Sequence, residues 1–340
     1  MLKASVLVVS RTPELLNRLL LSLDQAFSGQ RETIEIIASW NGSDADEQQI
    51  AAGRLPFSIA QREPYHFARN INNLARKARG DVLIFANDDL IADPGSVDAA
   101  LERLNRQSKV GIVGARLRTG DGQLAHAGIH FCSDGSPYHQ LERFVDALHP
   151  ANGRERLAPA VTGAFFAMRR DEFLQLELAE TFNVCGEDVL LCLQTRSILK
   201  KQILLCPAMS GIHDAESTRS QFETQQENDN DMKRMRAGWL EMLQRADRES
   251  LIVELQAAQD EAQDLRSIVH ACRASTAQAQ RGLTELYAAT QEQARNHAQL
   301  QAEQTQQQLH LSLIESENKR LRSRVQQLEN QLKCVAEPRQ

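Results

Sequence analysis

The residues best suited to chemistry in this sequence follow a short apolar run. Residues 82–86 (VLIFA) have the length and composition of a buried strand, and the run ends at Asn87-Asp88-Asp89. Three acceptor side chains at the end of a buried strand are costly unless a cation or hydrogen-bond donors meet them. Their oxygen atoms suit Mg²⁺ or Mn²⁺ carrying a phosphate-containing substrate. The alternative is a turn and a helix cap before Pro94, and these residues alone leave both interpretations open.

Two further candidates lie downstream. Glu187 and Asp188 are adjacent carboxylates, and a carboxylate within hydrogen-bond reach can take a proton from a hydroxyl. Acidic residues are also common at the N-terminus of a helix, where they interact favourably with its dipole. His213 follows a short apolar run, and it is either a metal ligand or a partly buried, hydrogen-bonded histidine.

The elements that must position these residues are predicted by the hydrophobic pattern. Over the first 245 residues, short apolar runs alternate with amphipathic segments, which is typical of an α/β domain. Ser10 ends the first predicted strand and Asn41 follows the second, and ligands bind at such strand ends in open α/β sheets. Helices are predicted from Thr12-Pro13 and over about 67–79. The predicted strands are 5–10, 34–39, 57–60, 82–86, 111–116, 160–169 and 203–206.

The composition changes near residue 245. Of 17 glycines only Gly282 lies beyond residue 250, and of nine prolines only Pro338 does, so the last 90 residues should be nearly continuous helix. A single heptad register runs from Leu255 to Val335, and 17 of its 24 a and d positions are apolar. This register predicts a coiled coil, and Asn318 at an a position favours a parallel dimer. The alternative is a lone or disordered helix.

We therefore expect two domains, residues 1–245 and residues 246–340, and we expect a chain shortened near residue 245 to be a folded monomer. The net charge of −6 does not favour a nucleic-acid partner. No apolar stretch approaches the roughly 20 residues of a membrane span, and the N-terminus lacks a signal-peptide cleavage site. The six cysteines form no CxxC pair, which predicts reduced thiols in a cytoplasmic protein. A peripheral position at the inner face of the membrane is the alternative.

Five blocks of sequence occur in a recognisable order. They are YHFARNINNLARKARGDVLIFANDDL (65–90), VGIVGARLRTGDGQLAHAGI (110–129), VTGAFFAMRRDEF (161–173), GEDVLLCLQTR (186–196) and IHDAESTR (212–219). In this order they resemble family 2 glycosyltransferases of the rhamnosyltransferase-like type, used in O-antigen and cell-surface glycan assembly. The resemblance covers about residues 3–245. It implies an α/β chain with a GT-A, Rossmann-like nucleotide-sugar domain, and the heptad pattern adds the long C-terminal coiled coil.

The resemblance also implies roles for individual residues. The expected enzyme is an inverting, metal-dependent glycosyltransferase with a nucleoside-diphosphate sugar as donor and a glycan or lipid-linked acceptor. Asn87 and Asp89 match the motif that binds Mg²⁺ or Mn²⁺, and His213 matches the residue that completes the metal shell. Asp188 matches the general base, with the adjacent Glu187 as a rival. Donor contacts are implied for Ser10, Asn41, Asn70, Asn73, Asp88, Thr162, Gly163 and Arg219.

Several of these assignments have structural alternatives. One of the asparagines near residue 70 could cap neighbouring backbone, and His126 is either a substrate contact or a turn residue. Trp40 stands where relatives have an Asp that contacts the nucleotide base, and Leu190 stands where many have a second Asp. The competing hypothesis is therefore an inactive relative that serves as a binding module, with the coiled coil as a scaffold. A nucleotidyltransferase is disfavoured because residues 10–16 (SRTPELL) contain no glycine-rich phosphate loop.

Overall fold

The computed structural model describes residues 3–213 and 225–336. The strands are β1 (Ala4–Ser10), β2 (Ile34–Trp40), β3 (Phe57–Arg62), β4 (Val82–Ala86), β5 (Leu90–Ala92), β6 (Val110–Arg118), β7 (Leu124–His126), β8 (Ile129–Phe131), β9 (Pro137–His139), β10 (Arg156–Leu157), β11 (Phe165–Arg169) and β12 (Gln202–His213). The α-helices are α1 (Pro13–Ala26), α2 (Asp44–Glu47), α3 (Phe67–Lys77), α4 (Ser96–Arg106), α5 (Arg170–Leu176), α6 (Glu187–Ser197), α7 (Gln225–Arg245) and α8 (Arg248–Ala336).

One mixed sheet organises the domain. Its strands run in the order β10-β12-β6-β11-β4-β1-β2-β3, with β5 paired to β12 and β7 paired to β6. Strands β4, β1, β2 and β3 are mutually parallel, whereas β11 is antiparallel to β4 and to β6. Strands β8 and β9 form a separate antiparallel pair. The carboxyl ends of β1, β2 and β4 therefore meet at one edge of the sheet, where α/β proteins bind ligands.

The core explains why the central strands are apolar along their whole length. Every residue of β1, β2 and β4 is buried, as expected for a sheet covered on both faces. Alternate residues of a strand face opposite sides. Accordingly, Val6 and Ile84 belong to one cluster with Leu20 of α1, whereas Phe85 stacks on Phe166 with ring centroids 4.1 Å apart.

The predicted strand over 160–169 is wrong in its first half. Strand β11 begins at Phe165, and the residues before it form a loop. The Thr162 N–H donates to His126 Nε2 (3.3 Å), and the Gly163 N–H donates to a carboxylate oxygen of Asp188. Because these backbone groups bond to side chains, they are not available for a strand ladder.

The first compact unit of the structure extends beyond the predicted domain boundary at residue 245. The N-terminal compact unit runs to Leu265 and includes α7 and the first turns of α8; we call residues 225–265 the strap. Arg196 is 3% exposed and pairs with Glu254 of the strap, and the buried Arg156 pairs with Asp264. A chain ending at 245 would lose both carboxylates together with residues that cover these guanidinium groups, such as Ser250, whose carbonyl accepts from Arg196. The apolar side chains that the strap buries are Met235, Trp239, Met242, Val253 and Ala257.

The second compact unit begins at Arg266, and its described residues are helical as far as Ala336. The predicted continuous helix is therefore confirmed over this range. Side chains of the predicted heptad seam, among them Leu283, Leu300 and Leu321, are exposed in the single chain. No helix in the described ranges is long and apolar enough to cross a membrane.

Candidate active site

The first part of the site lies where β1 and β4 end. These strands are parallel neighbours, so Ser10 at the end of one lies beside the residues that follow Ala86 at the end of the other. The Ser10 hydroxyl donates to Asp88 Oδ2 at 2.7 Å. Asp88 is thereby held against β1 and fixed in orientation.

The next carboxylate faces a different strand. Strand β12 pairs antiparallel with β5, and this pairing aligns His213 with Leu90. As a result, His213 Nε2 lies 3.2 Å from Asp89 Oδ1 and 3.3 Å from Asn87 Nδ2. The side chains of His213 and Asp89 are only 12% and 6% exposed. The structure thus brings together all three residues that the sequence suggested as metal ligands.

The charges in this region favour a cation. Burial raises the pKa of Asp88 to about 6, the charge of Asp89 adds to the shift, and the bond from Ser10 opposes it. Burial also raises the pKa of Tyr65 to about 12, with further contributions from Glu187, Asp88 and Asp89. Burial is the largest cause of both shifts, and neighbouring carboxylates add to them, so a bound cation would stabilise the ionised form of Asp88.

The side chains present fit a partial shell for Mg²⁺ or Mn²⁺. Asp89 offers carboxylate oxygens, Asn87 offers an amide group, and His213 offers a ring nitrogen. Across the described residues, no group of three or more His, Cys, Asp or Glu side chains could hold a metal ion by itself. This composition suits a cation that keeps several waters and binds substrate phosphates, as Mg²⁺ commonly does, rather than a closed protein cage.

The second part of the site is the beginning of α6. Gly186 precedes the helix with φ of +111°, and Glu187 and Asp188 form its first turn. Asp188 accepts hydrogen bonds from two backbone N–H groups, from Gly163 to Oδ2 and from Val189 to Oδ1. The first bond joins α6 to the loop before β11, so Thr162 and Gly163 lie next to the acidic pair.

His126 supports the same loop. Its Nε2 accepts hydrogen bonds from the N–H groups of Gly128 and Thr162, both at 3.3 Å, and its Nδ1 lies 3.0 Å from Nδ1 of His139. Burial, and next the charge of His139, hold the pKa of His126 well below its usual range. A neutral ring with its proton on Nδ1 satisfies these contacts. His126 is therefore a backbone anchor as well as part of the cavity wall.

One cavity of about 800 Å³ connects the two parts. Asn87, Asp89 and His213 line it together with Glu187 and Asp188. Other lining residues used below are Ser10, Asp88, His126, Thr162, Gly163, Asn228, Met232 and Met235. A cation site and a pair of carboxylates thus open onto the same space.

The model of the glycosyl transferase family 2 matches residues 6–173. Residues 6–173 are therefore similar to family 2 glycosyltransferases, and we call the compact unit that contains them the family 2 domain. The "O-antigen biosynthesis protein RfbC" of Myxococcus xanthus is 29% identical over 167 residues, which cover 46% of this chain and 13% of that protein. The chain therefore spans only a small part of the length of that relative.

Two solved structures share the fold of this chain. GalNAc-T7 with UDP, GalNAc and Mn²⁺ has a TM-score of 0.50 at 15% identity, covering 63% of this chain and 44% of its own. TarS of S. aureus, residues 1–349 in complex with UDP-GlcNAc, also has a TM-score of 0.50 at 15% identity, covering 78% and 72%. At such identities the likeness establishes the fold, so the predicted GT-A fold of the family 2 domain is confirmed.

Other predicted contacts lie away from the cavity of the family 2 domain. Asn70 is fully buried and bonds to backbone, accepting from His66 N–H (2.8 Å) and donating to the Pro64 carbonyl (3.3 Å). It therefore caps neighbouring backbone, which was the alternative role. Asn73 donates to Glu63 Oε2 (2.9 Å) and does not line the cavity.

Two positions near the end of β2 also differ from expectation. Asn41 donates from its side chain to the Glu63 carbonyl and is absent from the cavity wall. Trp40 is 2% exposed, and its indole N–H donates to the Ser43 carbonyl (3.2 Å). It therefore serves the core and the turn after β2. Arg219 lies outside the described residues.

The sequence does not single out Asp231, a buried acidic residue beyond the range of the family match. Asp231 on α7 accepts hydrogen bonds from the backbone of the loop before α6. It stands in a polar run, residues 226–231 (QENDND), where nothing in the sequence separates it from exposed neighbours. A helical-wheel analysis of α7 could have found it, since Asp231 shares a helix face with Met235, four residues later.

Proposed function

We propose that the family 2 domain transfers a sugar, with inversion, from a nucleoside-diphosphate sugar to a hydroxyl of a glycan or lipid-linked acceptor. The observation that carries this proposal is the shared cavity. It is lined at once by Asn87, Asp89 and His213 and by the acidic pair Glu187 and Asp188. Inversion follows if one carboxylate deprotonates the acceptor while that hydroxyl attacks the anomeric carbon opposite the leaving diphosphate.

The leaving diphosphate needs neutralisation. Asp89, with Asn87 and His213 beside it, would hold Mg²⁺ or Mn²⁺. When bound, such a cation supplies Lewis-acid stabilisation of the charge that develops on the diphosphate. Asp88 and Ser10 are proposed donor contacts next to it, since their hydrogen bond fixes them at the rim of the same cavity.

We assign the general base to Asp188, and Glu187 is its rival. A carboxylate has about four lone-pair sites, and Asp188 uses two of them for backbone N–H groups. Two sites are left for an acceptor hydroxyl, and the backbone bonds hold the carboxylate in a fixed orientation. Thr162 and Gly163 lie beside this carboxylate and are proposed to contact the donor sugar.

The substrates and the location of the enzyme are inferred from the relatives and from the sequence. The relative's name refers to O-antigen biosynthesis, so we propose a cell-surface glycan precursor as acceptor. The solved neighbours are complexes with UDP or a UDP-sugar, which makes UDP-sugars the first donors to test. We propose a cytoplasmic enzyme, with a peripheral position at the inner membrane face as the alternative. Arg219 remains a predicted phosphate contact.

Donor binding tests this proposal directly. Saturation-transfer NMR of the full-length chain with UDP-, GDP- and dTDP-sugars, with and without Mn²⁺, should show at least one donor that binds only with the metal. Asp89→Ala should abolish that binding, because it removes the carboxylate nearest His213. The control is Asp98→Ala, a carboxylate on α4 outside the cavity, which should bind like the wild type. Metal-independent binding, or unchanged binding by Asp89→Ala, would contradict the assignment.

A further inference from the structure

One buried carboxylate of the strap binds the loop before α6. Asp231 on α7 has a side chain only 1% exposed. Its Oδ2 accepts from three successive backbone N–H groups, those of Asn183 (3.0 Å), Val184 (2.8 Å) and Cys185 (3.4 Å). Consecutive N–H groups that converge on one anion form a nest, and charge-assisted bonds of this kind are stronger than neutral ones.

Helix α7 makes a second contact at Gly186, the residue that follows Cys185 in the loop. A Cβ added to Gly186 would lie 2.5 Å from Sδ of Met235, and Gly186 already has φ of +111°. Only glycine meets both conditions without strain. The strap therefore packs directly on the backbone that starts α6, one turn of α7 beyond Asp231.

The loop that Asp231 binds is followed directly by the acidic pair. Gly186 is the N-cap of α6, and Glu187 and Asp188 are the next two residues. Asp188 also carries the bond to Gly163 N–H, so a displaced loop would shift both sides of the cavity. A displacement of about 1 Å can cost on the order of 10²-fold in rate.

We propose that Asp231 is a positioning residue for sugar transfer. It fixes the loop of residues 183–186, and this loop places the acidic pair next to the acceptor hydroxyl. This inference rests on the proposed function. The residues of α7 that line the cavity beside this loop, Asn228, Met232 and Met235, then form the acceptor side of the site. The strap lies beyond residues 6–173, the range of the family match. This wall of the cavity is therefore built from residues that the family match does not include.

The chain offers matched controls. Asp264 is another buried carboxylate of the strap, 9% exposed, but it pairs with Arg154 and Arg156 away from the loop. Arg234 binds the other oxygen of Asp231 (Oδ1, 2.8 Å) and is 46% exposed. Asp264→Asn therefore tests loss of strap stability alone, and Arg234→Ala tests loss of the ion pair while the three backbone bonds remain.

The test compares Asp231→Asn and Asp231→Ala with these two controls in the full-length chain. Amide hydrogen exchange reports the loop, calorimetry with UDP and Mn²⁺ reports the donor end, and nucleoside diphosphate release with acceptor reports turnover. We expect faster exchange at residues 183–185 in both Asp231 variants. We expect kcat/KM for the acceptor to fall on the order of 10²-fold in Asp231→Ala and less in Asp231→Asn, which keeps one acceptor oxygen. UDP affinity should be unchanged.

The outcomes separate this inference from the function on which it rests. Normal turnover in a folded Asp231→Ala, or in Asp231→Asn if the alanine variant fails to fold, would overturn it. An equal loss of turnover in Asp264→Asn would also overturn it, since the effect would then belong to strap stability. If the wild type transfers no sugar, the proposed function itself fails, whereas unchanged amide exchange in Asp231→Asn would reject the positioning role alone.

Discussion

At the residue scale, the two adjacent carboxylates of α6 have different surroundings. Asp188 is oriented by the backbone N–H groups of Gly163 and Val189. Glu187 lies near enough to Tyr65 for its charge to help raise the pKa of that phenol. Both line the cavity, so geometry alone admits either as the base. The fixed orientation of Asp188 favours it, since a general base must be held within hydrogen-bond reach of the proton it removes.

We predict that Asp188→Asn lowers kcat by about 10²- to 10⁴-fold, the usual contribution of a general base. An amide can accept only one of the two backbone bonds, so thermal melting must accompany the kinetics. The affinity for UDP with Mn²⁺ should stay close to the wild-type value, because Asp89 and His213 are unchanged. The matched variant Glu187→Gln should be milder. An inactive Glu187→Gln beside an active Asp188→Asn would assign the base to the neighbour.

The convergence of Asn87, Asp89 and His213 was predictable from the sequence, because all three follow or end apolar runs and strand ends meet at one edge of a sheet. The positions of Asn70 and Asn73 were not predictable. Both belong to α3, and their side chains turn to backbone and to Glu63 instead of the cavity. Spacing within a helix gives the relative directions of side chains, but only tertiary packing decides which face meets the site.

At the element scale, the strap is part of the domain because its carboxylates neutralise buried cations. We predict that a chain of residues 1–265 folds and that a chain of residues 1–245 does not give a stable domain. The shorter chain lacks Asp264 and Glu254, which pair with Arg156 and Arg196, and it also lacks the buried side chains of Val253 and Ala257. Urea unfolding followed by circular dichroism would measure the difference. Equal midpoints for the two chains would contradict the docking of residues 248–265.

Glu261 makes docking of the strap sensitive to acid. Burial raises its pKa, but hydrogen bonds from His130 (3.0 Å) and Tyr138 (2.6 Å) outweigh burial and leave the pKa below its usual 4.5. A lowered folded-state pKa means stability that is present above pH 4.5 and lost as the pH falls through the folded value. We predict that Glu261→Gln is less stable than the wild type at pH 7 and that the gap narrows below pH 4.5. A gap independent of pH in urea unfolding, or the same narrowing in the exposed Glu292→Gln, would refute this.

Most central strands were predictable because full burial leaves an apolar run of limited length. The loop at 160–164 was not, because residues 160–169 (AVTGAFFAMR) read as one apolar run although His126 and Asp188 take its backbone bonds. The strap was misread for a related reason. Leu255 and Leu265 fit the heptad pattern of the tail and are exposed, whereas the buried Val253 and Ala257 lie outside the a and d positions. Ion pairs with distant residues, which the sequence does not reveal, help to decide where packing on the domain ends.

At the scale of the whole molecule, the apolar seam of α8 is a candidate surface for self-association. Seam residues such as Leu286, Ile314 and Leu328 are 65%, 44% and 45% exposed in the single chain, and the register is unbroken. We propose that a second copy of the chain covers this seam, in parallel because of Asn318. Sedimentation equilibrium should give a dimer for the full chain and a monomer for residues 1–265. A monomeric full chain at micromolar concentration would contradict the coiled coil.

The proposed sugar transfer requires that one cavity combines a cation site with a general base. Its most direct test is nucleoside diphosphate release by the full-length chain from a panel of UDP-, GDP- and dTDP-sugars with Mn²⁺ and a lipid-linked glycan acceptor. We expect release from at least one donor, abolished by chelator and by Asp89→Ala, and lowered by about 10²- to 10⁴-fold in Asp188→Asn. Donor binding without release from any sugar would instead support an inactive GT-A binding module with a coiled-coil scaffold. Full release in excess chelator would contradict the metal-assisted mechanism.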